Sequence, residues 1–318
     1  MTSAALALLG LLVLVAGGEI LLRGAVGLAN WYRLSPAVVG LTVVAAATSV
    51  PELAVSLIAG IEGKNDIALG NVVGSNICNI GLVLGLSAII RGLSISGNSI
   101  KLEYPVMAIV TFLLVVVGQD GTLARLESLL LLLIYVCFTA YMIRVVRTQL
   151  AAEEAKEFTE HVATLEESSA RPSRSAAYVI VSVLLLALGA ELTVSGAVGI
   201  ARIFGLSERV IGLTIVAIGT SSPEIVASII SSLRCRDYVA VGNVIGSNIF
   251  NILVILGLSG LVSPLAVSPD MILSDFWWML GVALLLFPLM RSGMRITRRE
   301  GSALLMIYAV YLTLLIRS

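Results

Sequence analysis

The segments Thr48-Ser49-Val50-Pro51-Glu52 and Gly70-Asn71-Val72-Val73-Gly74-Ser75-Asn76-Ile77-Cys78-Asn79 decide the fold, because each occurs twice. They return 172 positions later (220 − 48 = 172) as Thr220-Ser221-Ser222-Pro223-Glu224 and Gly242-Asn243-Val244-Ile245-Gly246-Ser247-Asn248-Ile249-Phe250-Asn251. Residues 17–87 align with residues 189–259 without a gap, and 35 of the 71 aligned positions are identical. Packing alone is a poor explanation for duplicated carboxylates, hydroxyls and amides in apolar surroundings. The pattern indicates one cation site built from two halves.

The composition indicates that most of the chain lies in lipid. Of 318 residues, 58% are hydrophobic and 13% are charged, and the mean hydropathy is +1.04. A soluble domain of this size does not need so much apolar material. The apolar runs are about 16 to 26 residues long, which favours helices over barrel strands of about ten residues. We therefore predict an all-α membrane protein with ten transmembrane helices. Their approximate cores are 4–29, 36–60, 67–90, 102–118, 126–146, 176–201, 208–232, 238–262, 271–290 and 301–316.

The distribution of positive charge predicts the orientation. Of the 20 Lys and Arg residues, fourteen fall in loops on one side of this ten-span arrangement and five on the other, while Arg23 lies within the first span. Because positive residues favour the cytoplasm, we expect both termini outside, in a multi-pass protein of the plasma (inner) membrane. The first segment reads as a retained span and not as a signal peptide. The net charge of zero gives no indication of a nucleic-acid partner.

The repeat divides the chain into two halves. We predict a first five-helix half at 1–147, a cytoplasmic linker at 148–174 and a second five-helix half at 175–318, with the repeats proper at about 36–90 and 208–262. The shift of 172 residues crosses five spans, so the second copy enters the membrane from the opposite side. Inverted repeats of this kind are typical of transporters that work by alternating access.

Glu52 and Glu224 are the strongest site candidates, because an ionised carboxylate inside a bilayer costs at least about 2.5–3.5 kcal/mol unless it meets a counter-charge or water. Neither motif has a Lys or Arg nearby in sequence. Two carboxylates brought together by the pseudo-symmetry would repel each other, and a divalent cation between them would remove that repulsion. The alternative is a protonated, hydrogen-bonded glutamic acid in each helix interface.

Other polar residues extend the candidate site. Pro51 and Pro223 deprive the carbonyls of Ala47 and Gly219 of a helical partner, and the kink could also loosen those of Thr48 and Thr220; such oxygens suit Ca²⁺ and Na⁺, although an ordinary packing kink is the alternative. Side chains four residues apart share a helix face. The face of the first motif carries Thr48, Ser49 and Glu52, and the two other pairs are Ser75 with Asn79 and Ser247 with Asn251.

Two further sets of polar residues each allow two different roles. Asn71, Asn76, Asn243 and Asn248 could ligate a cation or join helices through hydrogen bonds. Glu19 and Glu191 also correspond under the shift, but Arg23 follows Glu19 by one turn whereas Ser195 follows Glu191. An ion pair therefore does not explain both glutamates, which leaves either a gating role or a structural one.

At the two motifs the chain resembles the cation/Ca²⁺ exchanger superfamily, and more closely the sodium/calcium exchangers of prokaryotes. The resemblance implies a Ca²⁺ site formed by Glu52, Glu224 and the carbonyls of Thr48 and Thr220. It implies that the same glutamates serve Na⁺, and that the first and sixth spans slide as a gate. The further Na⁺ ligands that it implies are Ala45, Ser49, Ser75, Asn79, Ala217, Ser221, Ser247 and Asn251.

The chain departs from the family pattern at two positions. Ala47 stands where the family usually has Gly, which affects how far the first motif unwinds. Asn251 stands where some relatives, notably the potassium-dependent branch, have Asp, so we expect no K⁺ requirement.

The first functional hypothesis is a secondary antiporter that exchanges Na⁺ for Ca²⁺ and uses no cofactor. The alternative is a proton/Ca²⁺ exchanger, or an exchanger of another divalent ion, in which protonation empties the glutamates. An intramembrane enzyme is disfavoured, because the only histidine, His161, lies in the linker and no paired intramembrane aspartates are present. A channel would not need a site repeated with inverted sense. Nothing in the sequence indicates an oligomeric state.

Overall fold

In the part of the chain that the structure describes, the fold is helical apart from two short β ribbons. The computed structural model describes residues 3–32, 36–149, 172–203 and 217–317. Most of the predicted linker at 148–174 lies outside the described residues, as does the beginning of the seventh predicted span, residues 208–216. The α-helices, numbered in chain order, are α1 (Ser3–Tyr32), α2 (Pro36–Val39), α3 (Ala45–Thr48), α4 (Val50–Ile61), α5 (Asn65–Cys78), α6 (Gly85–Arg91), α7 (Tyr104–Val117), α8 (Arg125–Gln149), α9 (Pro172–Ile203), α10 (Ala217–Thr220), α11 (Ser222–Leu233), α12 (Asp237–Phe250), α13 (Gly257–Val262), α14 (Phe276–Arg291) and α15 (Arg298–Arg317).

Short segments of other geometry join these helices. The π-helical segments in the described part of the chain are Gly40–Val44, Asn79–Leu84, Ser99–Glu103, Asn251–Leu256 and Met271–Asp275, and the 3₁₀ turns are Gly118–Asp120 and Ser292–Met294. Each of these five π segments runs directly into an α-helix, so it continues the helical segment and does not end it. Single π-helical turns inside helices are frequent at functional sites.

Two short antiparallel ribbons tie loops together. β1 (Leu93–Ser94) pairs with β4 (Arg295–Ile296), and β2 (Thr122–Leu123) pairs with β3 (Leu265–Ala266). The first ribbon joins the loops before α7 and before α15, and the second joins the loops before α8 and before α14. Each ribbon therefore joins two loops that the ten-span plan places on the same side of the bilayer.

The sequence repeat recurs in the helix boundaries. Several elements of the second half begin and end 172 residues after their counterparts in the first half. They are α10 after α3, α11 after α4, α12 after α5, and the π segments Asn251–Leu256 and Met271–Asp275 after Asn79–Leu84 and Ser99–Glu103. The duplicated sequence thus gives duplicated breaks and duplicated changes of helical geometry.

Seven helices in the described residues are long and apolar enough to cross a bilayer, and the bent pair Gly40–Thr48 and Val50–Ile61 makes an eighth. The other two predicted spans, 208–232 and 301–316, correspond in part to α11, a shorter apolar helix, and to α15. The protein is therefore a helical membrane protein.

The repeated helices form the centre of the bundle. In the apolar stretches of the spans Asn65–Arg91 and Asp237–Val262, 72% and 89% of the residues are buried, against 17% in Arg125–Met142. α1 and α9 lie side by side and antiparallel, with Gly10 against Thr193 and Gly196 against Ala7. A Cβ atom on either glycine would overlap the facing residue. Small residues at such positions let helices in lipid approach closely.

Candidate cation-binding site

Each Thr-Ser-x-Pro-Glu motif lies at a break between two helices. α3 ends at Thr48 and α4 begins at Val50, with Ser49 between them at φ −84° and ψ 11°. Ser221 separates α10 from α11 in the same way, at φ −83° and ψ 5°. The helical segments on the two sides of the first break are bent by 54°. The breaks place non-helical backbone in the interior of the protein, where it is tolerated when it lines a site.

The proline and the glutamate of each motif follow the break. Pro51 and Pro223 lie in the first turn of α4 and α11, where proline is favoured because its φ angle suits the start of a helix. Glu52 and Glu224 lie in the same first turns. Each carboxylate therefore lies near the positive end of a helix dipole. Both residues are buried, with exposures of 0% and 1%.

The two motifs are joined crosswise. The Ser49 hydroxyl donates to Oε1 of Glu224 at 2.9 Å, and the Ser221 hydroxyl donates to Oε1 of Glu52 at 3.2 Å. Each glutamate is thus held by the serine that precedes the other glutamate by three residues. The crossed bonds bring the two buried carboxylates into one site.

α5 and α12 supply the other wall of this site. Ser75 of α5 lies 3.1 Å from the hydroxyl of Ser221, and Ser247 of α12 lies 3.2 Å from the hydroxyl of Ser49. All four hydroxyls are buried. Each predicted wall serine therefore contacts the motif of the opposite repeat, one hydrogen bond away from a glutamate.

Four buried oxygens among the predicted site residues have no hydrogen-bond partner. They are Oε2 of Glu52, Oε2 of Glu224, Oδ1 of Asn79 and Oδ1 of Asn251. They form two matched pairs under the repeat. A buried acceptor without a donor is costly, and cation binding relieves that cost. The described residues hold no group of three or more His, Cys, Asp or Glu side chains placed to bind a metal ion together. Two carboxylates with amide and hydroxyl oxygens suit hard cations such as Ca²⁺ and Na⁺ better than metals that prefer nitrogen or sulfur ligands.

The remaining predicted residues lie at the ends of the short helices α3 and α10. Ala45 and Ala217 begin these helices, and Thr48 and Thr220 end them, next to the breaks. Thr48 is fully buried, and its hydroxyl lies 3.2 Å from the carbonyl oxygen of Ala45. The four residues therefore flank the same two breaks as the glutamates.

Asn71 and Asn243, which the sequence left open between cation ligation and helix joining, form hydrogen bonds between helices next to the two breaks. Asn71 accepts a hydrogen bond from the Thr220 hydroxyl at 3.4 Å and donates to the carbonyl of Glu52 at 3.1 Å. Asn243 lies 3.3 Å from the Thr48 hydroxyl in the matching arrangement. The duplication of both asparagines was the signal available in the sequence, but their contacts could be read only in three dimensions.

One local expectation is modified by the structure. Pro223 deprives the Gly219 carbonyl of its helical donor, yet the Ser222 hydroxyl donates to that carbonyl at 2.6 Å. Val50 stands at the matching position of the first motif and offers no hydroxyl to Ala47. The freed carbonyl is therefore satisfied locally in the second motif, and the two motifs differ at this point.

Glu19 takes part in ion pairs away from the site. Its Oε1 lies 3.2 Å from Arg23 on the same helix and 3.0 Å from Arg234 at the end of α11. Glu191, its counterpart under the repeat, is exposed. Glu19 thus links α1 to α11, and this contact has no duplicate among the described residues.

The fold and the site define a multi-pass helical membrane protein with a duplicated, buried, oxygen-lined site of the kind that binds hard cations. The chain belongs to the sodium/calcium exchanger protein family, whose sequence profile matches residues 2–144 and 174–317. It is therefore an integral membrane cation/Ca²⁺ antiporter and a member of a family of transporters, not of enzymes.

Individual relatives agree over almost the full chain. The chain is 38% identical over 315 residues to the putative antiporter CaxA of Alkalimonas amylolytica, covering 98% of each sequence. It is 33% identical over 282 residues to the inner membrane protein YrbG of Escherichia coli (strain K12), covering 88% of this chain and 86% of the relative. The structure matches the sodium-calcium exchanger NCX_Mj soaked with Na⁺ and Ca²⁺, with a TM-score of 0.82 and 30% identity over 98% of this chain and 99% of that one.

Proposed function

We propose that this protein exchanges Na⁺ for Ca²⁺ by alternating access. One observation carries the proposal: Glu52 and Glu224, from two copies of one motif, meet in the interior, and each leaves one carboxylate oxygen without a donor. The family and the match to a sodium-calcium exchanger structure support Na⁺ and Ca²⁺ as the two exchanged ions.

In this proposal Ca²⁺ lies between the two glutamates, with the carbonyls of Thr48 and Thr220 as further ligands. Na⁺ uses the same glutamates together with Ala45, Ser49, Ser75, Asn79, Ala217, Ser221, Ser247 and Asn251. The crossed serine bonds and the unpartnered asparagine oxygens support this assignment. A doubly charged site is neutralised either by one Ca²⁺ or by Na⁺ ions, but not by both together. This competition couples the two fluxes.

The same proposal places ten spans in two inverted halves, 1–147 and 175–318, joined by the linker 148–174. The identical offsets of the helix boundaries and the two loop-joining ribbons support it. Both termini then lie outside the inner membrane, as the positive-inside rule predicts. Labelling of tags on the two termini in intact cells checks this placement, and a terminus that is reached only after permeabilisation would contradict it.

Equilibrium Ca²⁺ binding to the purified protein tests the shared site. We expect Na⁺ to displace bound ⁴⁵Ca²⁺ with a Hill coefficient above one, because more than one Na⁺ is needed to replace the charge of Ca²⁺. K⁺ at equal ionic strength is the control, and it should leave binding unchanged. Ca²⁺ binding that is insensitive to Na⁺, or equally sensitive to K⁺, would rule out a common site for the two ions.

A further inference from the structure

We infer that Asn76 and Asn248 are positioning residues that fix which end of the Asn251 and Asn79 amides faces the cation site. The inference deepens the proposed function and rests on it, because it takes Asn79 and Asn251 as cation ligands. Asn76 and Asn248 lie one turn before these residues in the order of the chain, yet each bonds to the asparagine of the opposite repeat. All four asparagines are at most 2% exposed.

The argument begins at a backbone carbonyl. Nδ2 of Asn76 donates to the carbonyl oxygen of Asn248 at 3.3 Å and lies 3.8 Å from the sulfur of Met279. A carbonyl oxygen can only accept, so the amide nitrogen of Asn76 must face it, and the orientation of this side chain is determined. Oδ1 of Asn76 then points the other way, toward Asn251.

The orientation passes from Asn76 to Asn251. Oδ1 of Asn76 accepts a hydrogen bond from Nδ2 of Asn251 at 3.0 Å. Because the amide nitrogen of Asn251 is used in this bond, its Oδ1 is the end left over, and that oxygen is buried without a donor. A reversed Asn251 amide would place two oxygens against each other and turn an N–H group toward the cation. Asn76 therefore selects the acceptor end of Asn251 for the site.

The same chain of hydrogen bonds occurs a second time with the roles of the two repeats exchanged. Nδ2 of Asn248 donates to the carbonyl of Asn76 at 3.3 Å and lies 3.7 Å from the sulfur of Met107. Oδ1 of Asn248 accepts from Nδ2 of Asn79 at 3.0 Å, which leaves Oδ1 of Asn79 without a donor. Met107 and Met279 are themselves 172 residues apart. Two independent copies of one arrangement make an accidental pairing of amides a poor explanation.

Helix packing alone explains less. Interhelical hydrogen bonds between α5 and α12 would stabilise the bundle whichever end of Asn79 and Asn251 faced the site. The chain of hydrogen bonds also accounts for the residue type at 76 and 248. An ionised Asp could not donate to the opposing carbonyl. A hydrophobic residue of similar size would leave the ligand amide free to reverse.

The test compares Asn76→Leu in two backgrounds, by displacement of bound ⁴⁵Ca²⁺ with Na⁺ from the folded full-length protein. With Asn251 present, we expect the substitution to weaken Na⁺ affinity by about 10- to 100-fold, as is typical when the partner that orients a metal ligand is lost. In an Asn251→Asp background the ligand has an oxygen at either end and needs no orientation. Asn76→Leu should then cause little further loss. Asn248→Leu with Asn79→Asp provides the mirror test.

Several outcomes would overturn the inference. An equal loss of affinity from Asn76→Leu in both backgrounds would indicate a packing role, and no loss with Asn251 present would exclude any role. Failure of Na⁺ to displace Ca²⁺ from the Asn76→Leu/Asn251→Asp double variant would also contradict it, because the carboxylate is required to serve as Na⁺ ligand there. Asn76→Ala replaces the Leu variant, with the same expectations, if the Leu variant does not fold.

The glutamate at the centre of the site separates this inference from the proposed function. If Glu52→Gln leaves Ca²⁺ binding intact, the proposed site fails and the inference fails with it. If Glu52→Gln abolishes binding while Asn76→Leu acts equally in both backgrounds, the inference alone fails.

Discussion

Glu52→Gln and Glu224→Gln are each expected to abolish sodium-driven Ca²⁺ uptake by the purified protein in liposomes. Glutamine keeps the size of the side chain but removes its charge, so a single carboxylate is left to balance a divalent ion. Removing one member of a buried charged set costs about 3–5 kcal/mol, which corresponds to a loss of affinity on the order of 100-fold or more. The two variants should be affected alike, because each glutamate is bonded to the serine of the other motif.

Two exposed glutamates provide matched controls. Glu62 lies in the loop after α4 and pairs with Lys64 at 2.6 Å, and Glu191 lies on the exposed side of α9. The same Glu→Gln change at either position should leave uptake near the wild-type rate, since neither contacts the site. Ca²⁺ uptake that survives in both Glu52→Gln and Glu224→Gln, with the proteins folded, would remove these residues from the transport mechanism.

A sodium gradient is expected to drive Ca²⁺ uptake several-fold faster than a pH gradient of equal size. Ser49 and Ser221 donate to the carboxylates, and Ser75 and Ser247 lie next to these two serines. The proposed Na⁺ site adds the amide oxygens of Asn79 and Asn251. Such neutral oxygens are useful ligands for Na⁺, whereas a proton needs only the carboxylate itself. The measurement is ⁴⁵Ca²⁺ uptake with the membrane potential clamped, so that only the chemical gradient differs between the two conditions.

The same assay distinguishes a Na⁺/Ca²⁺ exchanger from a proton/Ca²⁺ exchanger. Vesicles with Glu52→Gln protein measure leak, and their uptake should not respond to either gradient. Uptake driven by the pH gradient and unchanged by Na⁺ would identify a proton/Ca²⁺ exchanger. It would also leave the serine and asparagine oxygens without the role proposed for them.

Much of the fold could be predicted from the sequence because a repeated sequence predicts a repeated structure. Identical residues at a fixed offset predicted identical breaks, and the structure places α4 and α11 with the same start and end relative to Glu52 and Glu224. The apolar runs predicted the membrane helices. The family profile then confirmed the resemblance that the two motifs carried.

The contacts across the repeats could not be predicted in the same way. Helical spacing placed Ser49 near Glu52 on one helix face, but the hydrogen bond of Ser49 goes to Glu224. Which pairs cross depends on how the two breaks face each other, and a linear pattern does not contain that information. The same limit applies to Asn76, whose partner Asn251 lies 175 residues away. The bond from the Ser222 hydroxyl to the Gly219 carbonyl exists in only one motif, because Val50 takes the place of Ser222 in the other.

The central claim is that two carboxylates from the two repeats share one metal ion. Anomalous diffraction from crystals soaked in Ca²⁺, recorded at long wavelength, tests it most directly. We predict one strong peak between Glu52 and Glu224, within about 2.3–2.6 Å of an oxygen of each, and its loss when the soak contains high Na⁺. A peak bound by only one of the two glutamates, or a Ca²⁺ site elsewhere in the protein with none between them, would contradict the claim.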